Sequence, residues 1–243
     1  MDAVQKDMME RLRQDILRMQ GQRPVTAQLN EKVKLGPVLE AFPHKEFPTG
    51  AVHEWLSVTP ADAAATTGFI AGILNGLMQG SGACVWISRQ DQLFPPGFAA
   101  FGLEPHRILF IRLKRDKDIC WATEAALQVA GVAGVVSELS DLDFIVSRRL
   151  QLAVEKSGVT GFILRQKPRN LTATACVSRW QIKPIASYYP GSLPGVGVPC
   201  WQVDLLKIKG GKPGSWQLAW KDHAFRPLTD TSIAITTPLR KIS

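Results

Sequence analysis

FPTGAVHEWLSVTPADAAATTGFIAGILNGL, residues 47–77, sets the architecture expected of the rest of the chain. Its apolar run at 52–56 predicts a strand, the polar residues that follow a loop, and 61–79 a helix, the order of a nucleotide-binding strand–loop–helix unit. In such a unit glycines let backbone N–H groups wrap the phosphates, a lysine neutralises the β and γ oxygens, and a hydroxyl holds magnesium. Between Ser57 and Thr67 there is neither glycine nor lysine. Thr66 and Thr67 stand where the magnesium-holding hydroxyl would sit, and Ala64 and Ala65 take the place of the Gly-Lys pair. The stretch predicts a nucleotide-binding fold without the usual phosphate chemistry, with no cofactor and no catalytic residue.

At 243 residues, 45% of them hydrophobic, the chain is long enough for one large α/β domain with appendages. A net charge of +8 and a pI near 9.5 suit nucleic acid, an acidic protein partner or an anionic membrane surface, and equally suit plain solubility. Cys84, Cys120, Cys176 and Cys200 are far apart and form no Cys-x-x-Cys pair. His44, His53, His106 and His223 show neither ligand nor triad spacing, so no metal site is predicted. The first 21 residues are too charged for a secretory signal, and no apolar run approaches the roughly 18 residues that span a bilayer. The expectation is a reducing, cytoplasmic setting with no membrane contact.

Downstream, strands are predicted at 83–88, 108–113, 132–139 and 160–165, and helices at 95–102, 116–131 and 141–157, the last capped by Ser140 or Asp141. Strands alternating with helices at this interval give βαβ units and a mainly parallel sheet. ACVWIS at 83–88 is continuously apolar, as in a strand buried on both faces. Beyond Arg165 the pattern changes. Residues 170–182 read as an edge strand, 187–199 as a proline- and glycine-rich loop, and 201–208 with 215–221 as a C-terminal β-hairpin. Upstream, Val4, Met8, Leu12, Ile16 and Met19 recur at helical spacing, either packed on their own domain or forming an arm that docks on another protomer or partner. The expected divisions are an N-terminal helix at 1–23, an extended linker at 24–47, a core at 48–222 and an irregular tail at 223–243.

An ATPase of this layout needs a carboxylate at the end of its second strand to activate water and an aspartate at the end of a later strand for magnesium. Those positions hold Gln90, whose amide accepts no proton near neutral pH, and Ser137. Asp91 and Glu138 stand beside them as substitutes, although acids at strand ends are more often solvated or helix-capping. The FPTGxxHEW run from Phe47 resembles the opening of the RecA core, CVWISRQ from Cys84 its second strand, and TACVSRWQI from Thr174 a late strand. WQVDLLKIKGGKPGSW from Trp201, LDFIVSRRLQLA from Leu142 and GFILR from Gly161 are similar to the ImuA family. The likeness runs from about Pro48 to Trp220, carried more by the order of these motifs than by any one of them.

The resemblance implies a RecA-like α/β fold and a non-enzymatic accessory factor of SOS-induced translesion synthesis. It implies partners too: an ImuB-type inactive Y-family polymerase, an error-prone polymerase subunit and RecA itself. Two rival readings are a cell-division inhibitor of the SulA type on the same degenerate core, and an ATP-dependent RecA-type recombinase with an atypical loop. If single-stranded DNA is bound, the candidate residues are Arg165, Lys167 and Arg169 with the hairpin's Lys207, Lys209 and Lys212, while Tyr188 and Tyr189 would stack on bases. A solubilising hairpin with two core tyrosines accounts for the same residues. Arg148 and Arg149 read as the wet face of their helix, and Trp216, Leu218 and Trp220 as a hairpin face turned to the core. The Val4 to Met19 stripe is the candidate partner contact, because in RecA an N-terminal helix docks on the neighbouring protomer.

Overall fold

The computed structural model describes residues 33–79, 82–89, 94–168, 170–188 and 197–228. β1 (Val52–Ser57) is buried along its whole length because it lies inside the sheet, between β5 (Thr160–Gln166) and β6 (Ser178–Tyr188), both parallel to it. Beyond β5 come β4 (Val132–Glu138), β2 (Ala83–Ser88) and β3 (Ile108–Arg112), giving a parallel order β3-β2-β4-β5-β1-β6. From β6 the direction alternates, and β7 (Val198–Ile208), β8 (Gly214–Lys221) and β9 (Ala224–Pro227) extend the sheet as an antiparallel meander. This is the mixed α/β, mainly parallel, RecA-like core that the sequence predicts.

Successive residues of a strand point to opposite faces, so β1 serves two cores. Trp55 joins an aromatic cluster under α1 (Pro60–Leu77), and Val52 joins an aliphatic one under α2 (Asp116–Leu127) and α3 (Phe144–Ser157). In the first, Trp55 stacks on Trp180 with centroids 5.0 Å apart, and Phe69 meets Phe225 at 4.3 Å. Each such ring pair adds about 0.5–1.5 kcal/mol beyond area burial. Leu218 and Trp220 are buried in the same cluster and Trp216 packs against it, so the hairpin face does turn to the core.

Several boundaries differ from expectation. Residues 170–177 are irregular chain rather than an edge strand, and β6, which starts at Ser178, is paired on both sides. α3 starts at Phe144 because Asp143, not Ser140 or Asp141, is its N-cap: the carboxylate accepts from the Val146 N–H at 2.7 Å. α2 stops at Leu127, and residues 95–101 form a 3-10 helix, Pro95–Phe101. Within the stretch predicted as an extended linker, Gly36–Ala41 is a 3-10 helix, and Val33, Leu35, Val38, Phe42 and Phe47 are buried in the aromatic cluster. The predicted tail likewise contributes β9, whose Phe225 is core.

Candidate functional site

β1 ends at Ser57 and α1 begins at Pro60, so Val58 and Thr59 alone connect them. Thr59 is the N-cap, Pro60 suits a first helical position whose N–H has no use, and Asp62 closes a capping box. Thr59 Oγ1 accepts from the Asp62 N–H at 3.1 Å, while Asp62 Oδ2 accepts from the N–H groups of Thr59 at 2.9 Å and Val58 at 3.2 Å. Amides that a phosphate would seek at a helix N-terminus thus hold the chain's own carboxylate, which also meets the positive end of the helix dipole. Ala64, Ala65, Thr66 and Thr67 lie inside α1, in its second turn, rather than in a loop. Thr66 is fully buried, its hydroxyl 3.2 Å from Ser57 Oγ. Ser137, at the magnesium-aspartate position, is buried in β4, its Oγ without a partner among the described residues. Gln90 lies outside them.

A cavity of about 710 Å³ opens at this end of the sheet. One wall is the outer side of α1, with Pro60, Ala63, Ala64 and Thr67. Facing it are Phe94, Phe98 and Phe101, with Trp201 of β7, and the strand ends supply Ser57, Glu138, Gln166 and Lys167. Gly68 makes room, since a Cβ there would meet the Phe101 ring at 2.9 Å. Burial pushes the Glu138 carboxyl above the usual carboxylate range, opposed by the Arg89 N–H at 3.4 Å and by the Arg89 charge. Arg89 is itself tied to Asp116 and to Ser140 Oγ. Lys167 has a left-handed backbone (φ 49°), fixed by its N–H donating to the Ser57 carbonyl at 2.7 Å.

The five described cations among the DNA candidates do not converge. Arg165 is only 1% exposed, and its Nη1 donates to Glu54 Oε1 at 2.7 Å. Glu54 Oε2 also accepts from Arg179 Nε at 2.8 Å and Thr174 Oγ1 at 3.0 Å. Arg165 is therefore a core ion-pair residue that a phosphate does not reach, which corrects the sequence reading. Arg165 Nη2 donates to the Asn170 carbonyl at 3.1 Å and Arg179 Nη2 to the Thr172 carbonyl at 2.6 Å, fixing the irregular segment before β6. Lys207 Nζ donates to the Thr174 carbonyl at 2.8 Å. Lys209 and Lys212 sit in the β7–β8 turn, and since Ile208 faces Ser178 at the start of β6, that turn is at the end of the sheet opposite Ser57. Lys167 alone of the described candidates stands at the cavity. Arg169, Tyr189 and the stripe Val4, Met8, Leu12, Ile16 and Met19 lie outside the described residues.

Two features escaped the sequence reading although each left a signal. TPAD from Thr59 is a capping-box pattern ahead of an apolar run. Glu54 is a lone acid inside an otherwise buried strand, where a charge persists only if paired.

Fold and site together define a RecA-like α/β protein whose strand–helix join is sealed by a capping box. No family model matches the chain. It is similar to the Protein ImuA of Caulobacter vibrioides strain NA1000 / CB15N and to that of strain ATCC 19089 / CIP 103742 / CB 15. Each is 34% identical over 198 residues that cover 76% of this chain and 81% of the relative. The chain belongs to the ImuA family.

Proposed function

We propose that the protein is a non-catalytic accessory factor of SOS-induced error-prone translesion DNA synthesis. It works in the cytoplasm by binding an ImuB-type inactive polymerase relative and an error-prone polymerase subunit, with RecA as a further partner. Family membership supports the DNA-damage setting. The observation that carries the non-catalytic part is the Asp62 carboxylate seated on the Val58 and Thr59 amides, where a triphosphate would need open donors and positive charge. The Val4 to Met19 stripe is the docking arm in this reading.

Calorimetry with magnesium-ATP, with and without single-stranded DNA, tests the absence of a nucleotide seat. The expected result is no saturable heat; micromolar affinity that disappears in Thr66→Ala would restore a nucleotide-dependent enzyme. Removing residues 1–21 is expected to weaken capture of the polymerase partner while the unfolding transition of the core stays in place. Equal capture by the full and shortened chains would remove the arm from the account.

A further inference from the structure

The cavity beside β1 carries chemistry that loss of a phosphate site does not explain. Its walls are aromatic and aliphatic, from Phe94, Phe98, Phe101 and Trp201 on one side to Pro60 and Ala64 on the other. Two charges stand at its strand-end side. Glu138 accepts one long bond from the Arg89 amide, and the ammonium of Lys167 has no partner among the described residues. A non-glycine residue with φ near 50° is uncommon, so Lys167 is held there by its surroundings, here by the 2.7 Å bond to Ser57. At about 710 Å³ the space lies within the range of small-ligand sites, enough for a group of a few residues.

We propose that this cavity receives a short peptide segment of a protein partner, which places an apolar side chain against the aromatic wall and a carboxylate on Lys167. The inference rests on the reading that the protein acts by binding partners, and it names the chemistry that one of them presents. A nucleic acid fits the site poorly. Phosphate chains reward several cations together, whereas Arg165 is neutralised by Glu54, Lys207 is bonded to Thr174, and Lys209 and Lys212 are at the other end of the sheet. Glu138 adds negative charge to the cavity where Lys167 is the one cation among the described lining residues, a balance that disfavours a multiply charged phosphate more than a single carboxylate. A peptide also brings backbone N–H donors for Glu138, which a phosphate does not.

The test uses the full chain, nitrogen-15 labelled, titrated with N-acetyl-Leu-Phe bearing a free terminal carboxylate, with the same dipeptide as its amide, and with oligothymidylate. The carboxylate form is expected to shift the signals of Lys167, Thr67 and the Trp201 indole, and to bind about fivefold more tightly than the amide, the scale of one exposed ion pair. Lys167→Asn keeps a residue that tolerates left-handed backbone and should bring the two dipeptides to equal affinity. Ala64→Trp, on an exposed helix position, should abolish binding of both. Equal affinity of acid and amide in the native chain, shifts confined to other surfaces, no shift at all, or tighter saturation of the same signals by oligothymidylate would each overturn the proposal. Capture of the purified polymerase partner separates the two levels. An Ala64→Trp chain that captures as well as the native one overturns the cavity inference and leaves the partner-binding reading standing; failure of the native chain to capture overturns that reading itself.

Discussion

Glu54 on β1 and Asp62 on α1 both serve the chain's own donors, and they do so in opposite surroundings. Glu54 is wholly buried between two guanidiniums and a hydroxyl drawn from distant parts of the sequence. Asp62 closes a local cap beside an open cavity and bonds amides only three and four residues away. The first is a cross-chain tie whose removal strands charge in the core; the second is a short-range device whose removal frays one helix turn. The difference separates what holds the fold from what caps the strand–helix join, although both acids belong to one strand–helix unit.

Breaking the tie should give the largest effect. Glu54→Gln leaves Arg165 buried without a counter-charge, which costs about 3–5 kcal/mol, and thermal unfolding should move down by on the order of 10 °C. A shift of a degree or less would mean that water or another acid already compensates the arginines. Next comes His53, on the α1 face of the same strand, its ring 2.6 Å from Ser178 Oγ and 2.8 Å from the Pro48 carbonyl. Burial, opposed by the Pro48 carbonyl, lowers its pKa from 6.5 to about 4. The folded state therefore binds fewer protons than the unfolded one, so this contribution is complete above pH 6.5 and is lost as pH falls towards 4. The loss over that window is about 3 kcal/mol, and denaturant midpoints at successive pH values should show it; His53→Gln should flatten the slope.

Opening the cap should matter less. Asp62→Ala removes one half of the capping box, at a cost of about 1 kcal/mol, and frees the Val58 and Thr59 amides. Sulfate should then raise the melting temperature of the variant more than that of the native chain; an identical sulfate response would show that these amides do not attract anions even when open. Smallest of all is Thr66→Val, which breaks the hydroxyl pair with Ser57 and should cost about 1 kcal/mol or less in chemical denaturation.

The parts of the fold that were legible in the sequence are those where one physical signal had no competitor. β2 falls at 83–88 as read, because ACVWIS is an unbroken apolar run buried in a parallel sheet. α3 was read two to three residues early, because Ser140, Asp141 and Asp143 are all good caps and only the tertiary path selects among them. Residues 33–47 carry enough proline to look like a linker, yet their apolar side chains share a core with Leu218 and Trp220 of β8 and Phe225 of β9, which are distant in sequence. At the site, the missing glycines and lysine were visible, but aligning Thr66 with a phosphate loop hid the capping box five residues upstream of Ala64. Arg165 was misread because a strand-end arginine looks the same whether solvated or paired, and its partner is distant in sequence. The cavity had no sequence signal, since its walls come from α1, a 3-10 helix and β7.

The eight positions of a G-x-x-x-x-G-K-[ST] run fall on residues 59–66, and all of them but Thr59 are wound into α1. A phosphate wrap there needs the first turns of α1 to unwind, which the Thr59–Asp62 capping box opposes. In evolutionary terms the join is a ratchet. Point mutation can remodel the aromatic pocket and the charges around it one at a time, whereas a phosphate cradle at this join waits on the first turns of the helix giving way.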